Sequence, residues 1–339
     1  MEKVRIEDSL GMVIGHDLTK IIPGEYKGAA FKKGHIINEK DIYELKKIGK
    51  NHVYVVSITD GYLHEDQCAV RIGQAVSGEG VYIDEPSEGK VNIKSNINGI
   101  LKINLDSLYK INSINSIILS TVHTDTVVDK GTLIAGTKVI PLILEEKYIN
   151  EVENICKNNG PILWVKPFKS QKVGIIITGT EVFEGLIEDK FAKVILEKFQ
   201  KYHCDITKVV YSPDDLERIQ YEIQSLINSN VDIIVISGGM SVDPDDVTPT
   251  AIKNCCDKLI SYGSPVLPGA MFMMAYSKNT AIVGLPACGM FSKTTVFDLV
   301  LPRIMAKDNV TKEDIIKFAH GGLCLKCETC NYPICPFGK

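Results

Sequence analysis

In the segment "SGGMSVDPDD", Ser237, Gly238, Gly239 and Ser241 are followed closely by Asp243, Asp245 and Asp246. A Gly-Gly pair lets the backbone approach an anion, and turn amides with serine hydroxyls are good phosphate donors. Carboxylates around such a loop suit Mg2+, which is held through one or two carboxylates plus the phosphates of a substrate. Other candidates lie upstream and downstream. "TGTEVFEGLIED" carries Thr178, Gly179, Glu181 and Asp189, "SPDD" carries Asp214 and Asp215, and Pro286-Ala287-Cys288-Gly289 closes the set.

A second group of residues has a different chemistry. Cys324, Cys327, Cys330 and Cys335 lie in "CLKCETCNYPICP" at the spacing C-x2-C-x2-C-x4-C. Four thiolates suit a tetrahedral zinc, with Cys324–Cys327 as one knuckle, Cys330–Cys335 as a looser one and His320 as a substitute ligand. They equally suit an iron–sulfur cluster, whose bacterial run has a three-residue last gap before Cys-Pro where this chain has four. Free reduced thiols are the third reading. Cys68, Cys156, Cys204, Cys255, Cys256 and Cys288 are dispersed and read as small buried apolar residues.

The elements that must position these groups are legible from periodicity. "KVGIIIT", "DITKVVY", "VDIIVIS" and "TAIVGLP" are short apolar runs of the kind buried on both faces of a sheet. Between them come helical patterns. One places Leu186, Phe191, Val194, Ile195 and Phe199 on a common side. Another starts at Ser212-Pro213-Asp214-Asp215, with Ser212 as N-cap, and continues through Leu216, Ile219, Ile223 and Leu226. A third opens at Thr248-Pro249. This alternation predicts an α/β domain over residues 171–308, with a doubly wound, mostly parallel sheet. In such sheets ligands bind beyond the carboxyl ends of the strands, where the candidates above fall. Residues 1–58 read as an α+β segment, with a helix in "NEKDIYELKKIG" and a strand in "HVYVVSI". Residues 59–145 read as a β-rich barrel or sandwich, 146–170 as a connector helix and linker, and 309–339 as a Cys-rich tail.

Net charge is −4, so there is no basic stripe and nucleic acid is not expected as a partner. "MEKVRIEDSL" has no apolar signal run, and no apolar stretch approaches the roughly 18 residues of a membrane span. No membrane association is expected, and a cytoplasmic location is.

"GIIITGTEV", "YSPDDLERI", "ISGGMSVDPDDVTP", "LPGAMFMMAY" and "VGLP", in that order, resemble the molybdopterin-binding domain shared by molybdopterin adenylyltransferases and molybdopterin molybdenumtransferases, the gephyrin-type family. The resemblance covers residues 172–305. Gly15, Asp17, Phe31, Gly34, Asp41, Leu45 and Gly49 also fit the N-terminal pattern of the molybdenumtransferases. Such transferases take an adenylylated pyranopterin dithiolene, insert molybdate and release AMP with Mg2+. The resemblance implies molybdopterin as ligand and acidic catalytic residues at Glu181, Asp189, Asp214, Asp215 and Asp246. Asp246 would also hold Mg2+. Cofactor binding would fall to Thr178, Gly179, Ser237, Gly238, Gly239, Ser241, Pro268, Gly269 and Pro286. It further implies a homo-oligomer and a molybdoenzyme client.

The departures are specific. Where the family usually reads Lys-Pro-Gly-Lys-Pro, this chain has Leu267-Pro268-Gly269-Ala270-Met271, without either lysine. The last motif reads Gly-Leu-Pro-Ala-Cys-Gly rather than Gly-Leu-Pro-Gly-Asn-Pro. Met271, Met273, Met274 and Cys288 stand around the altered half, with core packing as their plain reading. "TDGYLHED" offers Asp60, His64, Glu65 and Asp66, and its Asp-Gly-Tyr echoes a family motif. Three functions follow as expectations: a molybdenumtransferase-like enzyme, a non-catalytic carrier or maturation factor for a molybdoenzyme, and a nucleotide pyrophosphohydrolase of the competence-damage type, whose Asp-Asp-x-Thr motif "DDVTP" approaches.

Overall fold

The computed structural model describes residues 1–22, 26–56 and 60–339. The chain divides into two compact units, Met1–Thr124 with Val128–Lys166, and Asp125–Val127 with Pro167–Lys339.

In the first unit, strands Glu2–Arg5 and His52–Val55 pair antiparallel. Ser57 and Ile58 of the predicted strand lie outside the described residues. The predicted helix spans Glu39–Lys47. Asn38 caps it in a reciprocal box with Asp41, and Gly49 follows at φ 78°. The middle region forms a four-stranded antiparallel sheet in the order Val81–Ile83, Lys90–Ser95, Leu133–Val139, Ile117–Thr121. Helices Glu65–Val76 and Leu105–Asn112 accompany it, so the segment is less purely β than its alternating runs suggest. Helix Glu146–Asn159 buries Ile149 and Val152 in this unit's core, and Arg71 reaches from the first of those helices to Glu153 at 2.8 Å. Strand Leu163–Pro167 carries Trp164, the chain's single tryptophan.

The second unit is built on a six-stranded sheet. Its strands are β1 (Lys172–Thr178), β2 (Asp205–Ser212), β3 (Ile233–Ser237), β4 (Lys258–Tyr262), β5 (Met273–Ser277) and β6 (Thr280–Leu285), in the order β2-β1-β3-β6-β5-β4. The first four in that order run parallel, and β5 and β4 are antiparallel additions at one edge. Residues 173–178 of β1 are all buried, as the unbroken apolar run requires.

Successive residues of β1 feed opposite cores. Val173, Ile175 and Ile177 pack with Val235, Val283 and helices α1 (Phe191–Phe199) and α4 (Val296–Met305). Ile176 packs with Ile234, Ile236 and helices α2 (Leu216–Asn228) and α3 (Thr248–Cys255). Helices on both faces make the sheet doubly wound, as predicted. Gly174 admits α2 closely, because a Cβ there would lie 2.7 Å from the Leu226 side chain.

Two details differ from the sequence reading. Helix α1 starts at Phe191, so Leu186 sits in the preceding loop and is 72% exposed. The N-cap of α2 is Asp215, which accepts from the Arg218 amide at 2.8 Å, and Ser212 is the last residue of β2. Beyond α4, Arg303 is buried and joins Asp308 at 3.0 Å to Asp314 at 2.9 Å, the latter on helix α5 (Lys312–Lys317). No helix among the described residues is long and apolar enough to cross a membrane.

Candidate functional site

The carboxyl ends of β1, β2, β3 and β6 lie side by side, and the sequence candidates divide there into three groups. The first converges. Gly238 and Gly239 follow β3 with φ of 104° and 56°, conformations that glycine adopts without strain. A Cβ on Gly238 would lie 2.2 Å from the Thr178 carbonyl oxygen. One on Gly239 would lie 2.7 Å from Thr248 Oγ1, 3.4 Å from Thr178 Oγ1 and 3.5 Å from Asp214 Oδ1. The Gly-Gly turn is thus wedged between β1, the loop after β2 and the start of α3. Asp214 ties two of these together, since its Oδ2 accepts from the Thr180 amide at 2.9 Å. Glu181 sits over Gly179, whose φ is 141°. Thr248 was not among the sequence candidates. It is fully buried and 3.4 Å from Thr178 through the hydroxyl oxygens. Its place in "DDVTP" was the available signal.

The second group is occupied with the fold. Asp189 accepts from the Phe191 amide at 2.7 Å and from the Ala192 amide, serving the first turn of α1, and takes the Tyr211 hydroxyl at 3.1 Å. Asp215 caps α2. Asp189→Ala is therefore expected to lower stability by about 1 kcal/mol, the scale of a lost cap, seen as a lower urea midpoint at unchanged slope.

The third group lies at the surface or at the rim. Ser241, Asp243 and Asp245 are exposed. Asp246 is half-buried and accepts from the Asp243 amide at 3.2 Å, which closes the turn. Ser237 is buried at the end of β3 and borders a small cavity of about 20 Å3 with Pro286 and Lys198. Lys198 is a cation the sequence reading did not place here. It is held by Asp298 at 2.7 Å. Gly269 is buried, and a Cβ there would meet Val296 at 2.6 Å.

Among the described residues no three His, Cys, Asp or Glu side chains group to hold an ion. Asp214, with Oδ1 3.5 Å from where a Cβ on Gly239 would lie, is the carboxylate against the Gly-Gly turn, and Asp246 closes the separate turn of residues 243–246.

Met273 and Met274 are fully buried in β5 and pack into the two cores, so they belong to the sheet rather than to a ligand pocket. His64, Glu65 and Asp66 are also structural. His64 caps its helix by accepting from the Asp66 amide at 3.1 Å, and its Nε2 donates to the Gly15 carbonyl at 2.6 Å. Lys33 bridges His64 and Asp66. Burial pushes the thiols of Cys68, Cys156 and Cys204 up to about 11, in line with their reading as small apolar residues.

Residues 174–306 match the family described as "probable molybdopterin binding domain", and residues 3–57 match a family of unknown function. A CinA-like protein from Petrotoga mobilis is 35% identical over 83 residues, which is 24% of this chain and 20% of that protein. A CinA-like protein from a Mycobacterium species (strain JLS) is 29% identical over 89 residues, 26% of this chain and 21% of that one. The chain thus spans about a fifth of the length of the curated relatives it matches. Among solved structures, the molybdopterin biosynthesis Mog protein of Mycobacterium ulcerans is 21% identical, covering 41% of this chain and all of that one at a TM-score of 0.37.

Proposed function

We infer, with residues 174–306 as a domain of the probable molybdopterin-binding family, that this chain binds molybdopterin or its adenylylated form at the strand ends and acts in molybdenum cofactor biosynthesis or handling. The observation that carries this reading is the convergence of Thr178, Asp214, Gly239 and Thr248 around one Gly-Gly turn. A turn without side chains next to two hydroxyls is suited to a phosphate, and the flanking carboxylates to the cation that accompanies it. Thr178, Gly179, Ser237, Gly238, Gly239, Ser241, Pro268, Gly269 and Pro286 are proposed to line the ligand site.

For the transferase reading, the reacting bond is a phosphoanhydride. Mg2+ bound there supplies charge neutralisation for the phosphates. Asp246, half-buried in the 243–246 turn, is proposed to hold that cation, while Asp214 fixes the β1 loop through Thr180. Glu181, over Gly179, is the carboxylate left to orient an attacking oxygen.

The test is to titrate the purified chain with molybdopterin and adenylylated molybdopterin, then add Mg2+ and molybdate and follow AMP. AMP release that falls roughly 10²-fold in Asp246→Asn, the scale of losing a positioned catalytic group, supports the transferase. No binding of either pterin removes the whole reading.

The carrier reading has its own observation. Leu267 and Ala270 replace the two lysines, and the nearby Lys198 is committed to Asp298. A molybdate pocket without free cations loses attraction for its substrate. Tight pterin binding without AMP release selects it. Preferential hydrolysis of ADP-ribose would instead select the pyrophosphohydrolase, a reading supported by the CinA-like relatives.

A further inference from the structure

The four tail cysteines, far apart in chemistry from the pterin turn, meet at one place. Cys324, Cys327, Cys330 and Cys335 all line a single cleft of about 460 Å3, whereas one water needs only ~10–15 Å3. Its walls are largely apolar, with Pro268, Phe291, Leu323 and Phe337 among them.

The tail that carries the cysteines is built into the domain. Tyr332 donates its hydroxyl to the Asp298 carbonyl at 3.1 Å, and Phe337 is buried in the core beside α4. The Cys324 amide donates to the Leu267 carbonyl at 2.8 Å, which lays the tail along the Pro268–Gly269 loop. Lys326, inside the first C-x2-C, takes the left-handed backbone at φ 52° and so turns the chain between its two cysteines.

We propose that this cleft is an iron–sulfur cluster site of the [4Fe–4S] type, with Cys324, Cys327, Cys330 and Cys335 as the four ligands. The cleft selects a cluster over zinc. Zinc draws four sulfurs to about 2.3 Å from one point and leaves no room between them. A cubane instead spreads its ligands around a body of several atoms, as these four residues are spread around one cleft.

The surroundings also suit a cluster. Cys330 accepts hydrogen bonds from the Thr294 hydroxyl, 3.4 Å away, and from the Tyr332 amide. Hydrogen bonds to ligand sulfurs and an apolar wall are the protein's usual means of tuning a cluster. Each thiol gives up its proton to solvent as it ligates, and the iron and sulfide come from outside the chain.

The experiment needs no pterin, so its outcome is independent of the function inferred above. The full chain is purified anaerobically, reconstituted with ferrous iron and sulfide, and assayed for iron, acid-labile sulfide and zinc. The expected result is about four iron and four sulfide per chain with a brown visible absorption. Cys327→Ala and Cys330→Ala, both at exposed positions, should lower iron content at least about fivefold with unchanged far-ultraviolet circular dichroism, while Cys256→Ser should retain it. Zinc without sulfide, or a metal-free protein after reconstitution, overturns the proposal. So does retention of full iron content by the Cys327 and Cys330 variants.

Discussion

Gly238→Ala is expected to destabilise the second unit by about 3 kcal/mol or more and to abolish pterin binding. Two costs combine. The residue sits at φ 104°, where a side chain is strained, and its Cβ would lie 2.2 Å from the Thr178 carbonyl oxygen. That oxygen belongs to the backbone at the end of β1, which is paired to β2 and β3 on its two sides, so it has little freedom to retreat. Overpacking and backbone strain of this kind each cost ~1–3 kcal/mol. Gly289→Ala is the control, because nothing lies within 4 Å of a Cβ there. It should stay within about 0.5 kcal/mol of the parent. Urea unfolding checks both. A Gly238→Ala midpoint equal to the parent's would show that the turn is not wedged against β1.

Arg303→Met should cost about 3–5 kcal/mol at neutral pH, the scale of removing one partner from a buried ion pair. Arg303 is 6% exposed and is shared by Asp308 and Asp314. Burial works against the Asp314 charge, but hydrogen bonds from Arg303 and Thr311 outweigh it and hold the carboxyl below its ordinary value. A carboxyl depressed in the folded state contributes stability above its unfolded value, 3.8, and loses it as pH falls through the folded one. The gap between parent and variant should therefore be widest near neutrality and shrink below about pH 4. Unfolding free energies measured at both ends of that range test it. A gap that stays constant into acid would remove the Asp314 contribution.

The parallel part of the sheet was legible because "KVGIIIT" and "VDIIVIS" are apolar without alternation, a pattern that burial on both faces demands. The antiparallel edge was not. "MFMMAY" has the same composition as a ligand-lining segment, and only the pairing of Met273 with Gly284 and of Tyr262 with Met273 identifies β5. The helix Glu65–Val76 was also missed, although Cys68, Ile72 and Val76 recur every four residues, because Gly73 and the polar residues among them weaken the stripe.

Acidic residues posed the harder problem. Before a helix, a carboxylate that caps amides and one that meets a ligand look alike in sequence. Asp189 and Asp215 are distinguished from Asp214 only by which backbone amides they reach. Thr248 was overlooked for the opposite reason, since a threonine at a helix start needs no further explanation until its hydroxyl is found against Gly239.

Trp164 has a practical consequence. It is the only tryptophan in the chain and lies on a strand of the first unit. Its fluorescence therefore acts as a private reporter of that unit, silent about the sheet that carries the Gly-Gly turn. Far-ultraviolet circular dichroism, by contrast, sums the helices and strands of both units. Denaturation followed by both signals would show whether the first unit melts with the rest of the chain, within one sample and without cutting it.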